Sequence, residues 1–373
     1  MAGRACAAPI YSNRDGYARS MPLCIRRAPF ECGGTGGNVH EIVRPQRALW
    51  MDIVRCFAIF LVVLDHTTDQ VNARLSDPLF GITTFNDAVG PFRMATLMFL
   101  SGLLLQRSLN KPLPVFVRGK VGLVGWPYVV WSVVLLSLLA ATSSLSGNST
   151  VDPGTFLRIF YNPPTYLWYL AYLLVFYLVA LLLRRRPAVR TALIPLALVT
   201  SQALFFEPQL QRMLFLLAFF LFGETVARHG QILERVMQSR AAIFLALLIA
   251  AATAVASGSG YPVRYQSLWA LGAIGGIVVL ISCAQAIDGS NLGNWMARYG
   301  EHSIIFYVTH WSFFLVAYHA LVRVGVENEW LLLLLVMAAA FGGGFFFIWL
   351  TAVWPPARYL FALPLQDRRS IRA

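Results

Sequence analysis

The chain has 373 residues, of which 58% are hydrophobic and only 13% are charged. Ordinary soluble domains are about 45–50% apolar and about 25% charged, so a soluble globule could not cover its surface with so few charges. The composition excludes a soluble enzyme, a disordered chain and a disulfide-stapled chain, and it predicts an all-α membrane protein. The net charge of +13 is typical of basic cytoplasmic loops, so we expect no nucleic-acid partner.

The two ends of the chain differ from its apolar middle. Residues 1–46 are polar and rich in Arg and Gly, and they lack the apolar run of a signal peptide. We predict a basic cytoplasmic tail over 1–46, a membrane domain over 47–355 and a cytoplasmic C-terminal tail over 356–373. The five cysteines show no repeated spacing, so we expect neither a disulfide framework nor a metal site.

From residue 49 onward, apolar runs alternate with short polar breaks. The pattern predicts about ten membrane-spanning helices, at 49–66, 91–106, 121–141, 166–183, 191–206, 211–227, 241–256, 266–285, 303–322 and 331–353. With a cytoplasmic N-terminus, the inside segments hold 23 Lys and Arg residues and the outside loops hold five. Basic residues accumulate on the cytoplasmic side, so we predict ten spans with both termini inside.

The first predicted helix contains three ionisable side chains, Asp52, Arg55 and His66. Such groups are costly in hydrocarbon and are functional candidates there. Arg55 and His66 are nearly three helical turns apart, so they share one face, about 16 Å apart along the axis. Asp52 can pair with Arg55, three residues later. Either this pair is structural and His66 is interfacial, or the three form a functional stripe with His66 at the outer end.

Polar residues on later helices give further candidates. Arg93, at about the depth of His66, can bind an anionic or hydroxyl-rich ligand or reach the lipid headgroups. Ser101 either allows close helix packing or contacts a ligand. In the ninth predicted helix, Tyr307 and His310 share one face. Packing against another polar helix explains this pair as well as substrate binding does.

A cluster of basic residues lies between the second and third predicted helices, at Arg107, Lys111, Arg118 and Lys120. Anchoring of the helices on the cytoplasmic side explains the cluster without any ligand. The alternative is a site for a polyanion such as the phosphates of a nucleotide.

Three motifs give the sequence a resemblance to a known family. They are Arg-x10-His with an upstream Asp, Phe-x-Ser-Gly, and a basic residue followed by Pro-Tyr. Their residues here are Asp52, Arg55 and His66; Phe99, Ser101 and Gly102; and Lys120, Pro127 and Tyr128. The chain resembles, over residues 46–352, the acyltransferase 3 family of membrane-bound bacterial O-acyltransferases, which are related to fucose 4-O-acetylase.

The resemblance implies transfer of an acyl group, commonly acetyl from acetyl-CoA, to a hydroxyl of a cell-surface carbohydrate. It implies His66 as general base, because an imidazole accepts a proton at neutral pH, with Arg55 and Asp52 supporting donor placement. Direct attack and an acyl-histidine intermediate both fit. The donor phosphates are then expected at Arg118, Lys120 and Arg107. The acceptor is expected near Arg93, Ser101, Tyr307 and His310.

Two other classes of function fit the same residues. Asp52, Arg55 and His66 could form the proton relay of a transporter or exporter. In a non-catalytic membrane scaffold, the buried charges would be an unexplained cost. An enzyme needs a continuous passage from the basic inner face to His66, whereas a transporter needs two related half-bundles around a midplane site.

Overall fold

The structure, a computed structural model, describes residues 48–145 and 153–363. These residues form fourteen α-helices and no strand, which confirms the predicted all-α class. The helices are α1 (Leu49–Asn72), α2 (Phe80–Leu103), α3 (Leu105–Leu109), α4 (Leu113–Lys120), α5 (Trp126–Leu145), α6 (Trp168–Leu182), α7 (Pro187–Ala203), α8 (Pro208–Arg228), α9 (Gln231–Gln238), α10 (Arg240–Gly258), α11 (Ala270–Ala286), α12 (Asn291–Gly300), α13 (Ser303–Arg323) and α14 (Glu329–Val353). A π-helix (Val121–Gly125) joins α4 to α5.

Within the described part of the chain, eight helical segments are long and apolar enough to cross a membrane. A multi-pass helical membrane protein is therefore confirmed. The two predicted spans outside this set also form helices. They are α1, which carries several charged residues, and α7, which has only 17 residues. A count of ten spans thus stays a prediction.

Local sequence explains where several helices begin. Ser239, Ser290 and Asn328 cap α10, α12 and α14, and each side chain accepts a hydrogen bond from a backbone N–H in the first turn. Helices α7 and α8 begin at Pro187 and Pro208. Proline suits this position because the first helical N–H has no partner within the helix.

Helices α1 and α2 extend further than their apolar patterns predict. Helix α1 continues to Asn72, and the Thr67 hydroxyl donates to the carbonyls of Val63 and Leu64, so polar residues stay within the helix. His66 consequently lies more than one turn inside α1, and its predicted place at the helix end is wrong. Helix α2 begins at Phe80, where the Asn72 side chain accepts from the Leu79 N–H and closes the connecting loop.

Helix α1 lies at the centre of the bundle, against α2, α11, α12, α13 and α14. Glycines allow the tightest of the contacts around it. A Cβ atom at Gly300 in α12 would collide with the backbone of Asp52. Gly102 in α2 and Gly223 in α8 likewise face each other's helix backbone, with no room for a methyl group. Small residues let membrane helices approach closely, so these glycines fix how the site-bearing helices cross.

The segment after α14 packs onto the start of α5. The indole N–H groups of Trp126 and Trp131 donate to the carbonyls of Tyr359 and Leu360. The Leu363 N–H donates to the carbonyl of Gly122, inside the π-helix. The beginning of the predicted 356–373 tail is thus held against the bundle, while residues 364–373 lie outside the described part. The three predicted regions and their boundaries stay predictions, and the predicted tail over 1–46 also lies outside the described residues.

Candidate active site

The His66 imidazole is enclosed by aromatic rings from α13. Its ring centroid lies 5.6 Å from that of His310, with the two planes 15° apart. The Trp311 indole meets His66 edge-on at 5.1 Å. The fold therefore brings together two of the predicted site residues from opposite ends of the sequence.

Ion pairs surround His66 at the same end of the bundle, here named the His66 end. Arg93 is buried, pairs with the Asp65 carboxylate at 2.8 Å and donates to the Leu61 carbonyl at 3.1 Å. Arg264, from the loop before α11, pairs with Asp87 at 2.8 Å and lies 3.6 Å from Asp65. Its guanidinium passes over Gly90, where a Cβ atom would collide with it. Arg93 and Arg264 are thus already bound to carboxylates beside His66.

His310 has one nitrogen bound and one free. The residue is completely buried, and its Nδ1 lies 2.7 Å from the Tyr307 carbonyl and 3.2 Å from the Phe306 carbonyl. Because a carbonyl only accepts, Nδ1 carries the proton and Nε2 holds a lone pair. Nε2 is buried and has no hydrogen-bond partner among the residues that the structure describes. A buried polar atom without a partner is costly, and here it lies on a ring stacked against His66.

Two tyrosines connect the turn just before α6 to α13 beside the His66–His310 pair. Tyr166 donates to the Val308 carbonyl at 2.6 Å, and the Tyr307 hydroxyl donates to the Tyr166 carbonyl. Tyr166 also contacts His310 edge-on, with centroids 4.8 Å apart. Thr165, just before Tyr166, has a φ of 39°, a left-handed conformation rare outside glycine. These two hydrogen bonds hold the α13 face that carries His310.

The hydroxyl of Ser101 is already engaged in the structure. It donates to the Leu97 carbonyl of its own helix at 2.9 Å and lies 3.2 Å from the Tyr169 hydroxyl. The Tyr169 ring in turn contacts the Tyr307 ring, with centroids 5.3 Å apart. Ser101, Tyr169 and Tyr307 thus form a row of polar side chains, and this row leads away from His66 toward the other end of α1.

Arg55 and Lys120 lie toward that other end, here named the Arg55 end. Arg55 pairs with the buried carboxylate of Asp52 at 2.7 Å and is close enough to Tyr169 and Tyr177 to interact with them electrostatically. The Lys120 ammonium sits 3.9 Å from the centre of the Tyr177 ring, which is a cation–π contact. Tyrosines therefore link Lys120 and Arg55 to Tyr307, which lies on the same helix as His310.

The other predicted donor-binding residues do not contact these tyrosines in the described part of the chain. Arg107, Lys111 and Arg118 are exposed, whereas Lys120 is only partly exposed. The exposed residues offer positive charge at the surface near the same helices, and Lys120 extends that charge inward. The predicted cluster is thus split into a surface part and one side chain that reaches the bundle interior.

Asp65, His66 and Asp69 place potential metal ligands within 4.8 Å of one another. The Asp65 carboxylate, however, is already bound by the guanidinium of Arg93. A metal ion at this place would have to share the Asp65 carboxylate with the guanidinium of Arg93. The expectation that there is no metal stays a prediction.

Several residues around the candidate site were missed by sequence reasoning. Asp65 directly precedes His66, and this adjacency could have identified it. Tyr166 and Tyr169 lie in an aromatic run that is also typical of lipid-facing helices. Arg264 lies in a loop, and only the fold brings it to Asp65 and Asp87.

Comparison with known proteins identifies the family of this chain. The model of a family described as "Acyltransferase domain" matches residues 48–350, which include every candidate site residue named above. The chain belongs to this acyltransferase family. No curated protein and no solved structure matches the chain. Membership of this family, together with several membrane-spanning helices, implies that the protein is a membrane acyltransferase. The His66 and Arg55 ends both lie inside the matched region.

Proposed function

We propose that this acyltransferase moves an acetyl group from cytoplasmic acetyl-CoA to a hydroxyl of a cell-surface or exported carbohydrate. The observation that carries the proposal is the family match over residues 48–350 together with an imidazole placed among polar groups inside a membrane bundle. Family membership supports acyl transfer, and the acetyl donor and carbohydrate acceptor are the finer parts of the proposal.

His66 is proposed as the general base. The acceptor hydroxyl gives its proton to the imidazole while its oxygen attacks the thioester carbonyl carbon. The carbon–sulfur bond then breaks, and the departing thiolate takes the proton from His66. Every proton is thereby accounted for without an added reactant. The stacked His310 and the edge-on Trp311 support this role because they fix the plane of the His66 ring.

Arg55 and Lys120 are proposed to position the donor. Coenzyme A is polyanionic, so it is attracted to the positive surface formed by Arg107 and Arg118 and by partly exposed Lys120. Arg55, held by Asp52, lies about 16 Å along the helix from His66. The line of tyrosines between these residues marks the route along which the thioester is expected to reach the acceptor.

The predicted acceptor-binding residues are Arg93, Ser101, Tyr307 and His310. We propose that the acceptor binds at the His66 end, beside Arg93 and His310, while Ser101 lies further toward the Arg55 end. The polar groups of Arg93, Ser101 and Tyr307 are engaged within the protein. Their contribution is therefore to shape and rigidify the site. The Nε2 atom of His310 can accept a hydrogen bond from a hydroxyl of the carbohydrate, directly beside the base.

The orientation belongs to the same proposal: both termini are cytoplasmic in the cell inner membrane. The Arg55 end then meets the donor and the His66 end meets the carbohydrate. A reporter fused after Ala373 that is active only in the cytoplasm would support this orientation. Activity only on the outer side would contradict it.

Transfer of radiolabelled acetyl groups tests the function. Membranes of cells expressing the protein would receive labelled acetyl-CoA, and base-labile label in the glycan fraction would be counted. His66→Gln should lower the label by roughly 10²–10⁴-fold, because it removes the base. His319→Gln is the control, since His319 is exposed on α13. Unchanged transfer by His66→Gln would refute the assignment, and loss of solute uptake instead would favour a transporter.

A further inference from the structure

Most of the partly or fully buried arginines among the described residues form ion pairs with carboxylates. In the described residues the partly or fully buried arginines paired in this way are Arg55, Arg93, Arg190, Arg228 and Arg264. Of the other two, Arg184 donates to the Lys111 carbonyl. The remaining one is Arg212, which has no carboxylate within ion-pair distance in the described part of the chain. Unpaired charge within a membrane bundle is costly and marks a functional site.

Arg212 lies on an aromatic platform. Its guanidinium carbon is 4.1 Å from the centre of the Trp168 ring and 5.6 Å from that of Tyr172. Its one hydrogen bond within the described residues is long, 3.4 Å to the Tyr172 hydroxyl. The Nε atom of Arg212 is buried, and no residue in the described ranges forms a hydrogen bond with it. The aromatic rings hold the guanidinium in place but leave most of its N–H donors unused.

The position of Arg212 along α8 adds to the charge imbalance. Helix α8 begins at Pro208, so Arg212 lies in its second turn. The start of a helix carries partial positive charge, which repels a cation and attracts an anion. The helix end and the unpaired guanidinium therefore favour the same kind of ligand.

Arg212 lies near the candidate acceptor site. It interacts electrostatically with Tyr307, and it shares Tyr265 as a neighbour with Arg93, Arg264 and Asp65. Tyr265 has a φ of 63°, a strained conformation for a bulky residue. Burial raises the pKa of the Tyr265 phenol, so this side chain stays neutral and supplies no negative charge to Arg212.

We propose that Arg212 binds an oxyanion, a carboxylate or a phosphate, at the His66 end. The oxyanion is carried by the carbohydrate acceptor or by a lipid headgroup. Its two oxygens can accept parallel hydrogen bonds at the edge of the guanidinium, while the Trp168 ring packs against the guanidinium. In taking the acceptor as one source, the inference rests on the proposed function, and it makes that acceptor an acidic or phosphorylated carbohydrate.

Binding to the purified full-length protein in detergent tests this site without any measurement of activity. Thermal unfolding would be followed with two matched pairs of probes: methyl β-glucuronide against methyl β-glucoside, and glucose 6-phosphate against glucose. Phospholipid that co-purifies with the protein would be quantified by native mass spectrometry. The variants are Arg212→Gln and Arg212→Lys. The control is Arg74→Gln, because Arg74 is exposed just after α1 at the same end.

If the acceptor carries the oxyanion, wild type should bind an anionic probe at least about tenfold more tightly than its neutral partner. Arg212→Gln should abolish this preference, Arg212→Lys should keep part of it, and Arg74→Gln should keep all of it. If a lipid supplies the oxyanion, Arg212→Gln should instead lose a phospholipid that wild type and Arg74→Gln retain.

The proposal is overturned if wild type shows neither a probe preference nor a retained phospholipid. It is equally overturned if Arg212→Gln leaves both unchanged, or, should Arg212→Gln not fold, if Arg212→Lys matches wild type in both. Since the readout is binding, failure here is separate from failure of acyl transfer. A protein that transfers acetyl groups but ignores the anionic probes would keep its proposed function and lose this site.

Discussion

The imidazoles of His66 and His310 lie face to face, with ring centroids 5.6 Å apart and planes 15° apart. The Nδ1–H of His310 is committed to the Tyr307 carbonyl at 2.7 Å, so only its Nε2 is left to interact with a ligand. Two imidazoles thus share one site: His66 is the proposed base, whereas the committed Nδ1–H of His310 leaves its Nε2 as a hydrogen-bond acceptor.

His310→Phe should lower kcat/KM for the acceptor by about tenfold or more, since it keeps the ring and removes the lone pair of Nε2. A net hydrogen bond contributes about 0.5–1.5 kcal/mol, and an unsatisfied partner costs about 1–3 kcal/mol. Steady-state kinetics with varied acceptor and with varied acetyl-CoA would check the effect, and the donor KM should stay unchanged. The matched control, His319→Phe, changes an exposed histidine of the same helix. Equal kinetics for the two variants would show that His310 has no role.

Arg55→Ala should reduce both activity and stability. A substitution that affects only catalysis would reduce activity alone. Arg55→Ala removes the 2.7 Å contact with the buried Asp52 carboxylate, and the loss of one partner of a buried ion pair is destabilising. Arg55→Lys should regain part of the stability but less of the activity, because an ammonium lacks the two-pronged geometry of a guanidinium. Thermal unfolding and acyl transfer measured on the same preparations would separate the two effects. Normal activity in Arg55→Ala would exclude a role in donor placement.

Lys120→Gln should raise the KM for acetyl-CoA several-fold and leave the acceptor KM nearly unchanged. Its ammonium reaches the bundle interior over the Tyr177 ring, on the side where the donor is proposed to enter. Arg118→Gln should have a smaller effect that weakens with salt, because an exposed charge is screened. Kinetics at low and high ionic strength would compare the two variants. An unaltered donor KM in both would leave these residues as membrane anchors.

Hydrophobic patterning predicted most of the fold because membrane helices need continuous apolar runs. It failed at the end of α1, where Thr67, Thr68 and Asp69 look like a loop. The Thr67 hydroxyl bonds back to carbonyls of its own helix, so the polar residues remain helical. A prediction based on apolar residues does not detect a polar side chain that hydrogen-bonds to the backbone of its own helix.

The candidate site was only partly predictable. His66 and Arg55 stand out because charged and titratable residues are rare in apolar helices. The stacking of His66 on His310 and the pairing of Arg264 with Asp87 depend on tertiary packing, for which the sequence carries no local pattern. Arg212 lies near the start of α8 and over the Trp168 ring, a contact for which the sequence likewise carries no local pattern.

Gly102→Ala should destabilise the protein, although the substitution adds only one methyl group. A Cβ atom at Gly102 would collide with the Phe220 carbonyl of α8, and a backbone atom cannot move aside as a flexible side chain can. Overpacking of this kind costs typically about 1–3 kcal/mol. It would also separate α2, which carries Arg93, from α8, which carries Arg212, so acceptor kinetics should worsen together with stability.

Gly81→Ala is the matched control for this crossing, because Gly81 lies in the same helix and a Cβ atom there meets nothing within 4 Å. Alanine favours a helix over glycine by up to about 1 kcal/mol, so this variant should be as stable as wild type or slightly more stable. Thermal unfolding in detergent would compare the midpoints of the two variants. A Gly102→Ala midpoint as high as that of Gly81→Ala would mean that α2 and α8 do not cross at Gly102 and Gly223.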